Sequence, residues 1–155
     1  MKFFADEMLG KLARWLRMAG LDVEYQNKLS DEQLIKAAKD QDRIILTRDT
    51  RLIQKLALGD YLFISHNHLA DQFREFFAHC SDASSNTHPL SRCAECNGLL
   101  EPVAKEAVKG RVWSYVYQTQ DHFTRCPRCD RIYWPATHVA KITQRLKSLL
   151  SEPPW

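Results

Sequence analysis

The sequence has no apolar run long enough to cross a membrane or to act as an export signal. Its first twenty residues break their hydrophobic positions with Asp6, Glu7, Lys11, Arg14 and Arg17. No membrane association is therefore expected, and a reducing, cytoplasmic setting is the expected location. In such a setting five cysteines read as metal ligands or free thiols more readily than as disulfides. There is also no low-complexity tract, and the only internal repeat is a pair of Cys-x-x-Cys elements. Nor is there a strong excess of one charge. The net charge is +3, and a hydrophobic fraction of 45% with 26% charged residues is an ordinary globular balance rather than that of a disordered chain.

What charge there is lies unevenly. Residues 1–90 hold 12 Lys and Arg against 13 Asp and Glu, whereas residues 91–155 hold 10 against 6, so the basic excess lies with the cysteines. Four thiolates around a zinc ion would reduce that excess to about +2, a modest attraction for a polyanion.

The amino-terminal half alternates strands and helices. Lys2–Ala5 is a short apolar run, followed by Met8, Leu9, Leu12, Trp15, Leu16 and Ala19 at helical spacing up to Gly20. Val23–Tyr25 is a second strand. Ser30 and Gln33 have capping-box spacing and open a helix to about Lys39. Ile44 to Leu46 is a buried-strand signature, and Leu52, Ile53, Leu56 and Ala57 predict a helix ending at Gly59. Tyr61–Ile64 and Leu69–Phe77 repeat the pattern. Four such alternations predict an α/β domain over residues 1–80, a parallel sheet covered by helices on both faces.

Polar, turn-rich residues 81–91 read as a linker. Residues 92–155 then form a second unit, in which Arg111–Thr119 alternates through Trp113, Tyr115 and Tyr117 as a hairpin strand does, and Ala136–Leu150 reads as a closing helix.

Cys93-Ala94-Glu95-Cys96 and Cys126-Pro127-Arg128-Cys129 are paired knuckles separated by 29 residues. A structural zinc takes four tetrahedral ligands, and each Cys-x-x-Cys turn delivers two thiolates, so Cys93, Cys96, Cys126 and Cys129 are the expected ligands of one zinc ion. A redox motif would place one such pair beside a βαβ unit, and both pairs here lie outside the α/β half. Cys80 reads as an apolar filler. With four thiolates closing the shell, His122 and His138 read as ordinary histidines.

Asp6, Asp31 and Asp49 each stand at a helix start, and the loops after parallel strands gather along one sheet edge where ligands bind. Each alone is explained by helix capping or the helix dipole. Together they form a set of hard oxygen donors suited to magnesium or manganese, which activates water and neutralises charge on a phosphodiester. Arg48 is placed for a phosphate contact, and Lys11, Arg14 and Arg17 form a row opposite the apolar stripe of the first helix. Such a row is more often a solvated face, and an ordinary salt bridge would also explain Arg48.

D-E-M-L-G-K-L-A-R-W-L-R-M-A-G at the amino terminus, L-T-R-D at 46–49, and R-C-x-x-C-N-G with C-P-R-C-x-R-I-Y-W-P resemble the PIN-like "Mut-seven C-terminal RNase" family over residues 2 to about 146. The resemblance implies a PIN-like domain followed by a zinc ribbon, and RNA cleavage by acids that bind magnesium or manganese, a role that falls on Asp6, Asp31 and Asp49. PIN sites commonly include a fourth acid, which has no clear counterpart here; Asp71, inside a helix, is the candidate. The family often has glycine and serine before the histidine that follows the W-P motif, where this chain has Ala136-Thr137-His138.

The leading expectation is a metal-dependent ribonuclease whose ribbon helps hold RNA, with Trp113, Tyr115, Tyr117, Tyr133 and Trp134 offering stacking faces or forming the ribbon's own core. The alternative is a noncatalytic RNA-binding or protein-binding module. Self-association is open in either case.

Overall fold

A computed structural model describes residues 1–81, 88–135 and 137–151, and of these the side chains of 137–139 and 149–151 are left out. Most of the expected linker and the side chain of His138 lie outside the described residues.

Strands β1 (Lys2–Ala5), β2 (Asp22–Tyr25), β3 (Ile44–Thr47) and β4 (Tyr61–Phe63) form a parallel sheet in the order β2-β1-β3-β4. Helices α1 (Gly10–Met18), α2 (Asp31–Asp40) and α3 (Leu69–His79) flank it. The alternation of side chains along each strand sorts the core into two layers. Phe3, Ala5, Val23 and Leu46 face Leu12, Leu16, Phe73 and Phe76 of α1 and α3. Phe4 and Ile45 face Leu34, Ala38 and Leu52 on the opposite side. Phe3 meets Phe76 edge-on with ring centroids 5.0 Å apart, and each such buried side chain contributes about 1.5–3 kcal/mol.

Local signals set the helix starts. Ser30 Oγ accepts the Gln33 N–H at 3.2 Å while Gln33 Oε1 accepts the Ser30 N–H at 2.9 Å, completing the expected capping box. The helix expected through Leu52 and Ala57 is instead a single 3₁₀ turn at Ile53–Lys55. Only Leu52 of its apolar residues is fully buried, and Leu58 is 93% exposed, so little burial rewards further turns.

Strands β5 (Glu101–Val103), β6 (Phe123–Arg125) and β7 (Ile132–Tyr133) form a small antiparallel sheet beside the cysteines. The strand expected at Arg111–Thr119 is corrected to a short helix, α4 (Ser114–Thr119), with Trp113 81% and Tyr115 75% exposed. The alternation there has no sheet face to fill. Helix α5 (Thr137–Ser151) closes the described chain, and its Leu146 and Ile142 join the core formed by α1 and α3. Among the described residues no helix is long and apolar enough to cross a membrane.

Candidate active site and metal centre

β1 has β2 on one side and β3 on the other, so the strand order reverses between β1 and β3. Their carboxyl ends form a switch point, where open parallel sheets leave a crevice. Asp6 follows β1 directly, Asp49 comes two residues after β3, and Asp31 opens α2. All three line one cleft of about 70 Å³ together with Glu7, Met8, Gln26 and Leu29.

Asp6 is almost fully buried, and its oxygens are firmly held. Oδ1 accepts the Met8 N–H at 2.9 Å, while Oδ2 accepts the Arg48 N–H at 3.2 Å and the Thr47 hydroxyl. Thr47 Oγ1 in turn accepts the Asp49 N–H at 2.9 Å, so one buried hydroxyl fixes both loops. Sequence reasoning passed over Thr47 although it stands inside the L-T-R-D motif. Asp49 Oδ1 accepts the Arg51 N–H at 2.8 Å. Asp31 is ion-paired to Lys55 at 2.8 Å, and Asp31 with Glu32 pushes the Lys55 pKa up.

The expected fourth acid is placed elsewhere. Asp71 pairs with Arg74 at 3.0 Å on α3 and is not among the residues lining the cleft, whereas Glu7, read as a first-turn acid, does line it. The carboxylates are less tightly gathered than the thiols. Among the described residues, the four cysteines are the group whose ligand atoms all lie within 4.8 Å of one another.

The basic residues separate. Lys11 is exposed, and Arg14 is exposed but paired with Glu95 at 2.9 Å. Arg17 departs from the expected solvated row: it is 3% exposed, with Nε donating to Val23 O at 2.7 Å and Nη1 to Ala94 O at 3.2 Å and Glu95 O at 2.9 Å. The Arg48 side chain turns to Asn67 rather than lining the cleft.

The two knuckles repeat one backbone design. Cys93 N–H donates to Gly98 O at 2.8 Å and Asn97 N–H to Cys93 O at 2.9 Å; Cys126 N–H donates to Arg131 O at 2.9 Å and Asp130 N–H to Cys126 O at 2.8 Å. Asn97 and Asp130 take the same left-handed conformation, at φ 69° and 63°. The sulfurs of Cys93 and Cys129 are 3.6 Å apart and those of Cys96 and Cys126 are 3.4 Å apart. Zinc–sulfur bonds of about 2.3 Å in a tetrahedron require sulfurs about 3.8 Å apart, so the set is compatible with zinc. A Cβ at Gly98 would lie 2.8 Å from Cys126 Sγ, which explains the glycine. Burial pushes the Cys93 thiol up, but hydrogen bonds from the Tyr133 hydroxyl at 2.9 Å and from backbone N–H groups outweigh it and lower the pKa to about 7. That favours a thiolate at Cys93 alone, since burial pushes the Cys96 and Cys129 thiols up.

The first knuckle docks on β2. Asn97 Oδ1 accepts the Val23 N–H at 3.0 Å, and its amide nitrogen donates to Asp22 at 2.7 Å and Glu24 at 3.3 Å. Arg128 of the second knuckle binds Glu24 at 2.7 Å and Cys96 O at 2.8 Å. Burial pushes the Asp22 and Glu24 carboxyls up, yet Asn97 and the surrounding guanidiniums of Arg43, Arg92 and Arg128 hold both below the ordinary carboxylate range.

No curated protein and no solved structure matches the chain. The family model described as the Mut7-C RNAse domain matches residues 1–146, nearly the whole chain and both the acidic cleft and the cysteine cluster. The chain belongs to the Mut7-C RNAse domain family.

Proposed function

We propose that the protein is a metal-dependent ribonuclease whose reaction takes place in the cleft of Asp6, Asp31 and Asp49. One observation carries the reading: three acids from separate loops share one cleft at the sheet's switch point. The family's description adds the substrate class, RNA.

The donor set fits a hard divalent cation. Magnesium keeps several of its waters and is commonly held by one or two carboxylates, so acids spaced more widely than the thiols still suit it. Asp6, Asp31 and Asp49 would hold magnesium or manganese, with Glu7 as the fourth acid at the cleft. A cation bound there supplies charge neutralisation at the phosphodiester and acidifies water.

The protein's own groups do the positioning. Thr47, Met8 and Arg48 fix the Asp6 carboxylate through three hydrogen bonds, so it reorganises little when charge develops nearby. Lys55 holds Asp31 ready at the rim. Lys11, about one turn beyond Glu7, offers a cation to the RNA backbone, and the four thiolates hold a structural zinc.

A noncatalytic reading is favoured by one observation, that Asp6 and Asp49 also cap turns and Asp31 already has a lysine partner. Incubation of the purified protein with labelled single-stranded and structured RNA, with and without manganese, separates the two. Manganese-dependent cleavage is expected; binding without cleavage would establish the alternative.

A further inference from the structure

A cavity of about 440 Å³ lies apart from the acidic cleft and shares none of its lining residues. It lies where α1, the ribbon sheet and α5 meet, with Met18, Leu100, Ile132 and Ile142 among its apolar walls. Tyr133 and Trp134 supply aromatic surface, and His122, Thr124 and Arg14 supply the polar groups. Its size and its mixture of apolar wall and few polar groups are those of a site for a small planar organic group. We infer that this cavity receives one base of a single-stranded RNA whose scissile phosphate lies in the acidic cleft, an inference that rests on the ribonuclease reading for its substrate.

Three relations select a nucleobase as occupant. The first is position along one helix. Glu7 and Met8 line the cleft from the 3₁₀ turn Glu7–Leu9 that leads into α1, and Arg14 and Met18 line the cavity along α1 itself. Arg14 stands eight positions after Asp6, roughly 13 Å at about 2.0 Å per residue through the 3₁₀ turn and about 1.5 Å per residue along α1, a span that a few nucleotides bridge.

The second is charge. Lys11, Arg14 and Met18 recur at helical spacing on one face of α1, and both cations are exposed. They give a polyanionic backbone partners between the two sites, whereas Arg92 in the cavity wall is already committed to Asp22 and the Asn97 carbonyl.

The third is rigidity. The Tyr133 hydroxyl is 2.9 Å from Cys93 Sγ, so a cysteine of the cluster tethers a ring in the cavity wall. A preset aromatic surface suits base stacking, which tolerates any base because each has a π-face.

The test uses the full-length zinc-loaded protein and a short fluorescein-labelled oligoribonucleotide, without added magnesium or manganese. A single abasic site is walked along the strand while binding is followed by anisotropy. One position is expected to weaken binding by about tenfold when its base is removed, with its neighbours tolerant. In Trp134→Leu, and separately in His122→Ala, that difference should shrink, with circular dichroism and zinc content unchanged. A uniform response along the strand, or an unchanged penalty in both variants, would overturn the inference and leave the cleavage reading standing. No binding of the intact strand, together with no manganese-dependent cleavage, would overturn both.

Discussion

The backbone N–H of Val23 donates to the side-chain oxygen of Asn97 at 3.0 Å, so a residue of the first cysteine knuckle completes the outer edge of strand β2. The Val23 carbonyl is covered as well, by Arg17 Nε at 2.7 Å. An exposed edge strand invites unwanted pairing, and here the metal-binding unit covers it.

About one zinc per chain is therefore expected, and its removal should be felt in the parallel sheet. On chelation the Val23 amide should exchange with solvent roughly fivefold or more faster, the equivalent of one lost hydrogen bond of about 1 kcal/mol. Amides of β1 and β3 in the sheet interior should keep their protection. Native-state hydrogen exchange checks this; an unchanged Val23 rate in zinc-free protein would show that docking does not need the metal.

Arg17→Met keeps an apolar stem but leaves three buried or partly buried carbonyls, those of Val23, Ala94 and Glu95, without their donor. A loss of about 3 kcal/mol in urea unfolding is expected, with zinc stoichiometry retained. Had Arg17 been a solvated phosphate contact, the same change would weaken RNA binding and leave stability nearly untouched.

Acid should loosen the docking. Asp22 and Glu24 have folded pKa values below their unfolded ones, so each contributes stability that is complete above the unfolded pKa and lost as pH falls through the folded one. Unfolding free energy should decline below about pH 5 more steeply in the native protein than in an Asp22→Asn, Glu24→Gln double variant. Denaturant titrations across that range, with zinc content monitored, measure the difference; parallel curves would contradict it.

The elements legible in the sequence are those whose cause is local. The Ser30–Gln33 capping box, the apolar strands and the matched knuckles each follow from residues a few positions apart. Failures came where periodicity lacked a surface to bury. Trp113, Tyr115 and Tyr117 alternate as a strand does, yet Trp113 and Tyr115 face solvent and the segment coils into α4. Docking was illegible for another reason: Arg17, Val23 and Asn97 are brought together by topology, and nothing in the spacing of Lys11, Arg14 and Arg17 marks the last as buried. The three aspartates could be picked out because each follows a strand or opens a helix, whereas Glu7 joins them at the cleft only through the turn that Asp6 caps.

The ribonuclease reading is tested most directly by comparing manganese-dependent RNA cleavage by the native protein with that of Asp6→Asn, matched for zinc content and circular dichroism. Asparagine keeps a side-chain oxygen to accept from Met8, Thr47 or Arg48 but removes the carboxylate charge. A fall of at least about a hundredfold in cleavage rate, with RNA binding retained, is the expected result. Equal cleavage by the two proteins would contradict the assignment of the reaction to this cleft.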